Sequence, residues 1–103
     1  MTFATIDSAR LIRDGGIDAM AALDDVIFEA IAGLSPKEQQ IIRRAFGEAM
    51  GGIVHNLINP AVRAFPELKT DQSTWSAIAE SRASIRTNRL HQARQQSPSA
   101  PLI

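Results

Sequence analysis

Asp24, Asp25 and Glu29 form a dense carboxylate cluster, the kind of group that acid–base catalysis or a hard cation requires. Neighbouring residues on a helix point about 100° apart, so Asp24 and Asp25 diverge and cannot converge on one ligand. Asp25 and Glu29 share a face at i, i+4, which fits two solvated acids on a polar surface. His55 stands two turns beyond Glu48, whereas a helical metal pair needs a spacing of three or four residues. His91 lies among arginines, whose charge discourages both its protonation and a bound metal. Ser73, Ser76, Ser81 and Ser84 have no histidine at an activating position and form no nucleophile elbow. None of the glycine groups (Gly15-Gly16, Gly33, and Gly47 with Gly51-Gly52) follows a strand, so no phosphate-binding loop is present. With no cysteine, thiolate chemistry and disulfides are excluded. The expectation is a protein without catalytic activity, cofactor or metal.

The elements that carry these residues come from a chain of 103 residues, the size of one domain. Apolar residues make up 45%, enough for a modest core. Eleven Lys and Arg balance eleven Asp and Glu, which excludes a polyelectrolyte role. The balance hides a segregation. Residues 1–34 hold six acids against two bases, a net of −4, and the remainder therefore carries +4. Residues 1–7 lack the basic and apolar regions of a signal peptide, and Asp24, Asp25 and Glu29 interrupt the most apolar run, Ala19 to Leu34. A soluble, cytoplasmic protein with no membrane contact is expected.

Periodicity and punctuation predict an all-α bundle. Asp7-Ser8 offers a cap for a short N-terminal helix that Gly15-Gly16 should end. Asp18 then caps a helix over about 18–33, striped by Met20, Leu23, Val26, Ile27, Ala30 and Ile31, with Gly33 at the left-handed C′ position. Ser35, Pro36 and Glu38 form a capping box for a central helix over about 36–58, ended by Asn59-Pro60. Its apolar residues, from Ile41 to Leu57, cover an arc of roughly 220°. A helical turn follows at 60–65, and Asp71 or Thr70 caps a last helix over about 71–94. Residues 1–96 read as one helical domain and 97–103 as a disordered tail.

Two surfaces emerge as candidates. Gly47 and Gly51 face one way within the central helix, where each glycine costs roughly 1 kcal/mol against alanine, so a close helix crossing is expected there. That crossing comes from another helix of the chain or from a second subunit. Phe28 lies about 80° from Met20, off the main stripe, and joins Gly47, Gly51 and Trp75 as an interface candidate. Three main helices leave so wide a central stripe short of cover, and a homodimer would complete the bundle. The second surface is basic: Arg82, Arg86, Arg89 and Arg94 occupy 13 residues without an acid. It complements the helix C-terminus and the acidic first half of the chain, or it tracks a phosphate backbone. The functional expectation is a non-catalytic interaction or regulatory module acting as a homodimer, with an unknown protein as the second candidate partner. The alternative is a nucleic-acid-binding regulator that uses the arginine face.

Overall fold

Helix α1 runs unbroken from Ile6 to Ile31 in the computed structural model, which describes residues 3–96. The expected stop at Gly15-Gly16 does not occur. The reason lies in what approaches Gly16: a Cβ placed there would sit 2.9 Å from Ile58 Cγ1 and 3.3 Å from Ile53 Cγ2. Gly16 is therefore the contact point of a close crossing within a continuous helix, where its missing side chain is worth more than its helix propensity. Nothing within 4 Å explains Gly15. The helix is capped by Thr5, not by Asp7-Ser8: its hydroxyl accepts from the Ser8 N–H at 3.1 Å. Asp18, expected as a cap, is instead a buried residue in the middle of α1.

The turn to the next helix follows the sequence closely. Gly33 takes the left-handed conformation, with φ +79. Ser35 Oγ accepts from the Glu38 N–H at 3.2 Å, and Gln39 Nε2 donates to the Leu34 carbonyl at 3.0 Å. Helix α2 then spans Pro36–Ile53.

Asn59-Pro60 does not end the helical path. A π turn over Val54–Ile58 leads directly into α3, Asn59–Ala64. Pro60 lacks an N–H, and in a regular α-helix its ring would press on the carbonyl four residues back, at Asn56. The wider turn relaxes that conflict, with the Asn59 N–H reaching back five residues to Val54. Pro66–Leu68 forms a 3₁₀ turn, and α4 runs from Gln72 to Gln96. Asp71 caps α4, accepting from the Thr74 N–H at 2.8 Å. Every element among the described residues is helical, with no strand, as the periodicity predicts. Residues 97–103, where a tail is expected, lie outside the described residues.

The helices are arranged around α1. It packs against α2, the π turn, α3 and α4, whereas α4 packs substantially on α1 alone. The buried apolar side chains among the described residues are few. Ala9, Ala61 and Leu68 form one cluster, ringed by Phe3, Ile6, Val62 and Phe65. Ile17 and Ile58 are buried too, Ile58 against Gly16, and Ile31 is buried near the end of α1. Arg13 is also buried beside the cluster. One of its nitrogens donates to the Leu68 carbonyl at 2.8 Å, and the guanidinium grips Asp14 at 2.7 Å. The radius of gyration is 17.0 Å, against about 13 Å for a closed domain of this length. One chain does not wrap around its own apolar surface.

Candidate interface

Helix α2 holds the main anomaly. Its sequence supplies a broad apolar stripe, yet none of its residues is buried. Ile42, Phe46, Met50 and Ile53, spaced by three or four residues, are half-buried on one side of the helix. The flank formed by Ile41, Ala45 and Ala49 is exposed, with Ile41 at 63%. The wide arc therefore has a covered half and an open half.

Gly47 and Gly51 do not mark a crossing by another helix of this chain. A Cβ at either position would meet nothing within 4 Å. The two glycines lie on the side of α2 that carries Gln40 and Arg44, away from the half-buried residues. Within the chain, the close approach is made at Gly16 instead. A signal for it does exist: Ala9, Ile12, Gly16, Ile17 and Met20 hold the three-four spacing straight through the glycine pair.

Phe28 is 65% exposed near the end of α1, as its position off the stripe predicts. Trp75 is half-buried and lines a groove of about 510 Å³ that lies across α1 between α2 and α4. Met20, Met50 and Trp75 supply its large apolar side chains, and Asp24 and Glu80, both exposed, bring negative charge to it. Phe28 follows Asp24 by four residues, so it prolongs the same strip of α1 by one turn.

The four arginines of α4 divide into two pairs. Arg86 Nη2 lies 2.9 Å from Asp18 Oδ1. Arg82 is half-buried, and its Nε is enclosed without a hydrogen-bond partner. These two face α1. Arg89 and Arg94 are exposed, as is every residue from Thr87 to Arg94, including Leu90 at 64%. The last part of α4 thus projects as an arm beyond the helix that supports its first part.

The groups first considered for chemistry stay apart. Asp24, Asp25 and Glu29 are exposed, as is His55, and Glu48 makes a loose 3.9 Å ion pair with Arg44. Among the described residues, no three of His, Asp and Glu come together as a metal site. Asp71 has a displaced acidity: hydrogen bonds from the Thr74 backbone and side chain hold its carboxyl below the ordinary value of 3.8. That is the signature of a helix cap, not of a reacting group. No helix among the described residues is long and apolar enough to cross a membrane. No known protein family matches the chain, and neither a curated protein nor a solved structure shows detectable similarity to it.

Proposed function

We propose that this chain is a small non-catalytic interaction module that works as a homodimer. The observation that carries the reading is α2: a helix with a broad apolar stripe and no buried residue. Exposed Ile41 on that helix and exposed Phe28 on α1 add to the apolar surface left open. A second copy is the economical cover, because a closed pair buries the same stripe twice. The expected cytoplasmic setting goes with this reading.

Sedimentation velocity at micromolar concentration tests it. A species of twice the 11.2 kDa chain mass is expected, and Ile41→Glu should shift it toward the single chain. A stable monomer at that concentration overturns the proposal. The nucleic-acid reading is weaker, because Arg86 is paired with Asp18 and Arg82 is turned toward α1. Two exposed arginines would neutralise too few phosphates to bind at physiological salt.

A further inference from the structure

We propose that the projecting arm of α4, residues 87–94, seats in the groove of a second copy, with Leu90 against Met20, Met50 and Trp75. The inference rests on the homodimer reading and specifies one of its contacts. Three observations carry it. The first is charge. Arm residues Arg89 and Arg94 are exposed, and no acid lies between Arg82 and Arg94. The groove carries Asp24 and Glu80, and none of these four residues takes part in an ion pair among the described residues. Opposite charges arranged in this way steer association and fix its register.

The second observation is apolar fit. Leu90 is 64% exposed on the arm, while the groove places two methionines and a tryptophan in a concavity of about 510 Å³. Methionine-lined grooves adapt to the apolar side chain of an incoming helix. The third observation identifies the occupant. The groove is walled by Trp75 and Ser76, and these belong to the same unbroken helix as the arm. Ser76 and Leu90 are 14 residues apart, about 21 Å along a straight helix. The arm cannot fold back into its own groove. Only another chain's arm can reach it. Eight exposed residues of helix are also marginal alone in water, so docking would stabilise the arm itself.

The chain has no cysteine, which makes cross-linking clean. Two variants, Ser76→Cys and Ala93→Cys, alter exposed positions, leave Leu90 in place and should fold as the parent does, checked by circular dichroism. One carries a mass tag, and the two are mixed under mild oxidation at micromolar concentration. A disulfide requires Cα atoms within about 7 Å, so docking of one chain's arm in the other's groove should make the mixed disulfide form well ahead of either same-variant disulfide. That species is expected, and 0.5 M salt should reduce its yield by screening the charges. A second pair of variants, Asp24→Arg/Glu80→Arg and Arg89→Glu/Arg94→Glu, should each lose self-association by roughly tenfold or more and recover it when mixed. A dimer that gives no mixed disulfide, or that both charge reversals leave intact, overturns the arm-in-groove contact while the homodimer reading stands. If the unmodified chain sediments as a monomer, both fall together.

Discussion

Asp18 Oδ1 lies 2.9 Å from Arg86 Nη2, and this ion pair ties α1 to α4. The two partners are unequal. The Asp18 side chain is 12% exposed and that of Arg86 51%, so only the arginine can regain water if the pair is broken. Asp18 Oδ1 accepts no well-aligned hydrogen bond, which leaves the guanidinium as its compensation. Arg86→Gln should therefore cost about 3 kcal/mol, by stranding a buried carboxylate. Asp18→Asn should cost about 1 kcal/mol, because the freed arginine turns to solvent. Urea unfolding of both variants and of the double variant measures the asymmetry, and equal costs would contradict it.

The glycines of α1 and α2 should respond in opposite directions. Gly16→Ala places a methyl group 2.9 Å from Ile58 Cγ1 and should destabilise the chain by about 1–3 kcal/mol, despite alanine's better helix propensity. Gly47→Ala and Gly51→Ala enter open space and should each stabilise α2 by up to about 1 kcal/mol. Thermal unfolding reads all three. A loss at Gly47 or Gly51 would mean that a second subunit crosses there.

Asp71 gives the cap of α4 a pH dependence whose sign is fixed. Its folded acidity constant lies below the ordinary 3.8, so its contribution to stability is fully present above that value. The contribution is lost as pH falls below 3.8 toward the folded constant. Asp71→Asn keeps a capping oxygen but removes the charge, and should flatten this part of the stability profile between about pH 5 and pH 3. Unfolding midpoints measured across that range provide the check, and an unchanged slope would remove Asp71 as its source.

The uncovered flank of α2 separates folding from association. Ile41 is 63% exposed, so Ile41→Glu should leave the chain's helix content unchanged and its intrinsic stability within about 0.5 kcal/mol. Its effect should fall on association, read as a concentration-dependent melting temperature that becomes concentration-independent.

Local chemistry was the legible part of this fold. The cap at Ser35, the left-handed Gly33 and the cap at Asp71 depend on a few adjacent residues, and each sits where its residue type dictates. The two errors of continuity have a common origin. Gly15-Gly16 and Asn59-Pro60 are local stop signals, and in both places the packing of α1 against the π turn prevails over local preference. Gly16 and Ile58, which meet at that crossing, are 42 residues apart, so neither glycine nor proline could announce the other. Sequence separation also hid the pairing of Asp18 with Arg86, because a cap and a buried ion-pair partner are both aspartates in sequence. Of the interface candidates, Phe28 was readable from its angle on the helix. Trp75 needed the groove, which exists only once α1, α2 and α4 are placed.

The π turn at Val54–Ile58 also acts as a phase shifter. It holds one residue more than an α-helical turn would, so everything after it is rotated by about 100° relative to an uninterrupted helix. Deleting one residue of those five would restore the regular helix and keep Ala61 facing Ala9, whereas straightening the turn at constant length would swing Ala61 away by about 100°. The facing of Ala9 and Ala61 thus depends on the turn absorbing a single extra residue, and a regular α-helix of the same length would act on the fold as a frameshift acts on a reading frame.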